Sequence, residues 1–132
     1  MSFEEQVLSN CDGLARDRVR IINLRNLNLA ALLAGVVFVF ATWSGQAVRS
    51  FRLLCQALAA TPESNLPVFV LDADGFDFDE FRKVFGELSH GKGEAYWIRD
   101  GESIHKDHGY TDESRNLLIR RIQDSKGLNQ PS

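Results

Sequence analysis

Val36-Val37-Phe38-Val39-Phe40-Ala41-Thr42-Trp43-Ser44-Gly45-Gln46-Ala47 passes from a continuous β-branched and aromatic run into a polar, glycine-bearing turn. Residues of the first kind fit a pleated, packed surface. Without polar alternation, Val36 to Ala41 predicts a strand covered on both faces. Ser44-Gly45 then opens the longest helix, with Ser44 as its cap. Val48, Phe51, Leu54, Cys55 and Leu58 give that helix an apolar stripe, while Arg49, Arg52 and Gln56 face away.

Upstream, Phe3, Val7, Leu8, Cys11 and Leu14 recur at helical spacing, which predicts an amphipathic helix over 3–15, ended by Asp12-Gly13. Val19 to Leu24 reads as a short strand, and Asn26 caps a predicted helix reaching Ala34. Leu27 to Trp43 is too short for a membrane span and changes character at Gly35. Downstream, Thr61 to Asn65 is a loop by composition, and Val68 to Leu71 a second buried strand. Phe78, Phe81, Val84 and Phe85 mark a further helix, and Ser89 to Gly93 a flexible loop. Asp100-Gly101 is a hairpin turn between Ala95–Ile98 and Ser103–His105. Thr111 caps a last helix to Gln123, and 127–132 is expected to be a flexible tail.

Strands alternating with helices, closed by a hairpin, predict one three-layer α/β domain over 1–126 with a mixed sheet. The 132 residues carry 44% hydrophobic and 25% charged side chains, ordinary for a globular protein. A net charge of −3 argues against a dedicated nucleic-acid binder. Cys11 and Cys55 lie far apart in sequence, with no zinc spacing and no disulfide framework. The start, Met1 to Glu5, lacks the basic and apolar stretches of a signal peptide. A cytoplasmic protein without membrane partner is the expectation.

The opening stretch resembles the active-site strand and turn of the thioredoxin-like superfamily, in which a hydrophobic strand leads into Trp-Cys-Gly-Pro-Cys. Ile21 to Leu24, Val68 to Asp74, Phe85-Gly86 and Tyr96 to Glu102 are similar to other pieces of that fold, in the same order. The resemblance covers about residues 19 to 124 and implies a thioredoxin-like three-layer sandwich, a mixed central sheet flanked by helices, with an extra N-terminal helix. Ser44 and Ala47 stand at the two cysteine positions, Gln46 at the intervening proline and Phe38 at the buried acid. The cis-proline position falls at Gly93.

Disulfide exchange needs a thiolate, which neither serine nor alanine supplies. The expectation is therefore a redox-inactive, non-enzymatic protein-binding module: an assembly chaperone, adaptor or complex subunit. Its contact face would be Trp43, Ser44, Gly45 and Gln46 with the loop at Gly93, its partner another protein or an extended peptide. No catalytic residue, cofactor or metal is expected. The alternatives are a thiol transferase or one-cysteine redox enzyme using Ser44 or Cys55, and a small regulatory or toxin-neutralising protein. Against a peroxidatic cysteine stands the lack of an activating Arg or Thr at a recognised spacing. Cys11 and Cys55 read as buried packing residues. Asp72, Asp74, Asp77, Asp79 and Glu80 do not follow a calcium-loop pattern. His90, His105 and His108 form no convincing metal set, and Arg115, Arg120 and Arg121 read as the solvated face of the last helix.

Overall fold

A computed structural model describes residues 1–126; the expected tail lies outside the described residues. Helix α1 (Phe3–Leu8) precedes strand β1 (Val19–Ile21), and strand β2 (Ala34–Phe40) leads into α2 (Gly45–Ala59). There follow β3 (Val68–Asp72), α3 (Phe78–Phe85), β4 (Glu94–Arg99), β5 (Glu102–His108) and α4 (Arg115–Lys126). The sheet order is β1-β3-β2-β4-β5. The first three strands are parallel, and the closing hairpin runs antiparallel to β2. The mixed sheet between helical layers is the expected architecture.

Strand β2 lies in the middle of this sheet, and its alternation divides the core. Val36, Phe38 and Phe40 face one way, against Phe51, Leu54, Cys55 and Leu58 of α2, Leu118 and Ile122 of α4, and Val7, Cys11 and Leu14 from the N-terminal segment. Val37 and Val39 face the other, with Phe69, Leu71, Phe81 and Tyr96. Every β2 residue from Gly35 to Phe40 is buried, as a strand without polar alternation requires. At the hairpin, Asp100 and Gly101 have φ of 53° and 80°. Two successive positive values are what a type I′ turn needs.

Several elements depart from expectation. The first helix stops at Leu8 instead of residue 15, because Asp12 (φ 45°) and Gly13 (φ 90°) adopt left-handed backbone and turn the chain back. Asn26–Ala34 is not one helix. It forms two short 3-10 turns, Leu24–Asn26 and Leu29–Ala31, separated by extended Leu27 and Asn28. Pairing with β3 ends early, so β1 covers only Val19–Ile21 rather than reaching Leu24. The hairpin strands are longer than expected. Phe78 is 62% exposed and leaves the stripe it was assigned to. No helix among the described residues is long and apolar enough to cross a membrane.

Candidate functional site

The β2–α2 turn presents its residues as the sequence places them. Ser44 caps α2, its Oγ accepting the Ala47 N–H at 3.2 Å. Trp43 is 66% exposed, yet it is held: its indole N–H donates to Asp74 Oδ1 at 3.3 Å. Gly91 backs the ring so closely that an added Cβ would lie 2.5 Å from it. Gln46 is exposed, and its side chain lies over Gly109.

Gly93 is not on this surface but beneath it. Its φ is +75°, and a Cβ there would come within 3.0 Å of Ala47 Cα and Ser50 Cβ. Its carbonyl accepts from Ser50 Oγ at 3.5 Å. Proline, fixed near φ −65°, does not fit this backbone. The turn itself contains no sulfur: Trp43, Ser44, Gly45 and Gln46 come together, and Gly93 packs behind them.

The sulfur lies elsewhere. Cys11 and Cys55, both free, sit in the same core cluster with 4% and 0% exposure. They are near neighbours there, each thiol perturbing the ionisation of the other. Cys11 Sγ donates to Val7 O at 3.5 Å. The neighbouring Cys55 holds the Cys11 thiol below the usual range, against the opposing effect of burial, with help from nearby Arg16. The neighbouring Cys11, together with burial, pushes the Cys55 thiol up. The next residue, Asp12, is strapped to α2, its Oδ2 accepting from Gln56 Nε2 at 2.7 Å and Arg52 Nε at 3.1 Å.

Spacing in sequence hid this arrangement. Arg16, exposed just beyond the turn at Asp12-Gly13, is the positive charge that adds to the lowering of the Cys11 thiol. The available signal was that both cysteines lie on apolar stripes, so both belong in one core. An open groove of about 550 Å³ runs along α2 past Gly45, Val48, Arg49, Arg52 and Gln56. It thus joins the Trp43 turn to the residues that hold Asp12.

A second polar cluster sits under α4. Asp107 accepts from Trp97 Nε1 at 3.2 Å, from the Tyr110 hydroxyl at 2.8 Å, and from Arg121 Nε and an Arg121 terminal nitrogen at 2.9 Å each. Burial works to raise the Asp107 carboxyl, but these bonds outweigh it and hold it below the usual range. Arg121 is therefore not a solvated residue. Next to it, His105 Nε2 lies 3.0 Å from Asp124 Oδ2. Among the described residues, no three His, Cys, Asp or Glu side chains gather as a metal site would require.

No family model matches the chain, and no curated protein matches it in sequence. Solved structures do. The oxidised form of mitochondrial thioredoxin 3 from Saccharomyces cerevisiae matches with a TM-score of 0.61 and 19% identity, over 82% of this chain and 96% of that one. A chain from a structure of the thiol resolving mechanism in yeast mitochondrial 1-Cys peroxiredoxin, via glutathione and thioredoxin systems, matches with a TM-score of 0.58. Its identity is 21%, over 79% of this chain and 94% of that one. The chain has the thioredoxin-like fold, with Ser44 and Ala47 where the resemblance places the cysteine pair.

These neighbours correct one expectation. The chain was expected not to be an enzyme and not to act in dithiol chemistry. The two solved structures reported above, which share its fold, are of a thioredoxin and of a peroxiredoxin's thiol resolution, and they count against that expectation. The non-catalytic part of the binding-module reading falls with that expectation. The one-cysteine alternative agrees better with these neighbours.

Proposed function

We propose that this chain is a thiol-redox enzyme in which one cysteine, Cys11, is the sulfur that first reacts, with a small hydroperoxide as its substrate. The observation that carries this reading is the placement of two free cysteines in one core cluster, with Asp12, the residue after Cys11, bound to Arg52 and Gln56 on the turn of α2 that carries Cys55. A thiolate is the nucleophile in thiol chemistry, and the Cys11 thiol is the one held below the usual range. Cys55, expected to be the reacting residue if either cysteine was, is the wrong one of the two: it is wholly buried and its thiol is pushed up. At 4% exposure Cys11 is closed to a bulky polypeptide disulfide, so a small oxidant is the substrate that suits it.

The test is hydroperoxide turnover with a small thiol as reductant. Cys11→Ser is expected to abolish it, and Cys55→Ser to slow it and move its pH profile upward. Full turnover by Cys11→Ser would refute the assignment.

A second reading concerns the Trp43 turn, supported by the exposure of a tryptophan fixed by Asp74. Trp43, Ser44, Gly45 and Gln46, underpinned by Gly93, form the face on which a partner polypeptide docks. Comparing proteins co-purified with wild type and with the Trp43→Ala/Gln46→Arg variant tests it. An unchanged set removes this face.

A further inference from the structure

Two placements bring Cys11 and Cys55 together, and they are independent. One is their shared place, both free and buried, in a single core cluster. The other is the Asp12 carboxylate, bound to both Arg52 and Gln56. Positions 52 and 56 are one helical turn apart, and position 55 lies beside them on the core-facing side. Asp12 is thus tied to the same turn of α2 that carries Cys55, and Cys11, next to it in the chain, is buried in the same core cluster as Cys55.

Resting on the reading of Cys11 as the reacting sulfur, we propose that Cys55 resolves its oxidation, so that Cys11 and Cys55 form a reversible internal disulfide joining the N-terminal segment to α2. The Cys11 thiolate attacks one oxygen of a hydroperoxide. The O–O bond breaks, the sulfur is oxidised to a sulfenic acid, and the alcohol or water leaves with the transferred proton. The Cys55 sulfur then attacks the sulfenic sulfur. The S–O bond breaks, the S–S bond forms, and the departing hydroxide takes the Cys55 proton as water. Two thiols have given two electrons to one peroxide. An external dithiol returns them by exchange.

Burial gives Cys55 this role. At 0% exposure it is shielded from outside oxidants and is the sulfur nearest the new sulfenic acid. Bridge formation needs Cα atoms within roughly 4.4–6.8 Å, so the Asp12 tie to Arg52 and Gln56, which holds the two segments side by side, favours it. Access comes from α1, whose six residues are too few to be stable alone. Local opening of such a segment exposes Cys11 without global unfolding.

The full chain is titrated with hydrogen peroxide, quenched with an alkylating agent in denaturant, and read by intact mass. The expected result is loss of both free thiols together with a decrease of about 2 Da, the mass of the two hydrogens lost when a disulfide forms, reversed by dithiothreitol. In Cys55→Ser, Cys11 is expected to accumulate as a sulfenic acid trapped by dimedone. In Cys11→Ser, Cys55 is expected to stay reduced. Circular dichroism confirms that both variants fold.

A wild type that accumulates Cys11 sulfenic or sulfinic acid without the internal bridge overturns this inference and leaves the proposed function standing. So does a disulfide formed only between two chains. A wild type in which neither sulfur reacts, at peroxide levels that oxidise free cysteine, overturns both.

Discussion

Asp107→Ala removes the acceptor for four hydrogen bonds at once, and its cost can be worked from the groups left behind. Arg121 loses both bonds to the carboxylate with its side chain only 20% exposed, against 10% for Asp107. Breaking a buried pair costs about 3–5 kcal/mol, and the remaining solvent access at Arg121 places this case at the lower end. The Tyr110 hydroxyl is left without an acceptor in a residue 2% exposed, which adds about 1 kcal/mol or more. Trp97 loses less, since its indole N–H also donates to Tyr110 at 2.9 Å. The sum is about 4 kcal/mol, a large part of a typical domain's stability. Asp107→Asn keeps one oxygen for Tyr110 and Trp97 and loses the charge, so about 2–3 kcal/mol is expected. Urea unfolding followed by tryptophan fluorescence measures both. Acidity gives a second reading of the same cluster. The folded carboxyl lies below its unfolded value, so its contribution is complete above the unfolded value near 4. It is lost as pH falls through the lower, folded one. The wild type should therefore weaken in acid more steeply than Asp107→Asn. A loss under about 1 kcal/mol for Asp107→Ala would refute the view that this cluster anchors α4.

Gly93→Ala forces a Cβ against Ala47 and Ser50 at a backbone angle that alanine resists. A loss of about 2–3 kcal/mol is expected in thermal or urea unfolding. Ser44→Ala removes the cap of α2 and should cost about 1 kcal/mol, with Ser44→Gly costing only a few tenths; calorimetry of the three proteins checks the order. Gln56→Ala loosens the strap on Asp12. If about 1 kcal/mol of local stability is lost there, Cys11 should be alkylated roughly fivefold faster under native conditions, and an unchanged rate would show that Asp12 does not control access.

The central strand, the cap at Ser44 and the Asp100-Gly101 turn were legible because each is a local property. A β-branched run, a hydroxyl before a helix and two residues tolerant of positive φ each carry their own reason. The single helix expected over Asn26–Ala34 failed for the opposite reason. Leucine and alanine favour helix, but Leu27, Leu29 and Leu32 are drawn onto the second core face, where two tight turns place them. The α4 anchor was hidden in plain view. Trp97 pairs with His105 and Ala95 with Asp107, so His105 and Asp107 share a face of β5. Arg121 and Asp124 lie three apart on α4, also on one face. The two pairs of charges match, but only the fold brings the strand and helix together. Arg121 read alone is one more surface arginine.

The same distinction between local and assembled signals bears on the chemistry. At the N-terminus of α2 the sequence shows a lost pair, since Ser44 and Ala47 contain no sulfur, and from the chain alone that loss read as an end to redox work. Cys55 stands eleven positions further along the helix, about 16 Å at 1.5 Å per residue. At that level a segment absent from the resembled stretch, residues 1–15, delivers Cys11 to it. A polypeptide docked at Trp43 would not reach either sulfur directly. The groove along α2, past Arg49 and Arg52 to Gln56, is the continuous surface between the two places. Arg52 and Gln56 line that groove and hold Asp12, so they link the docking face to the segment that carries Cys11. Releasing those two side chains would change the groove and loosen the Asp12 tie at the same time, which is what the Gln56→Ala alkylation rate reads.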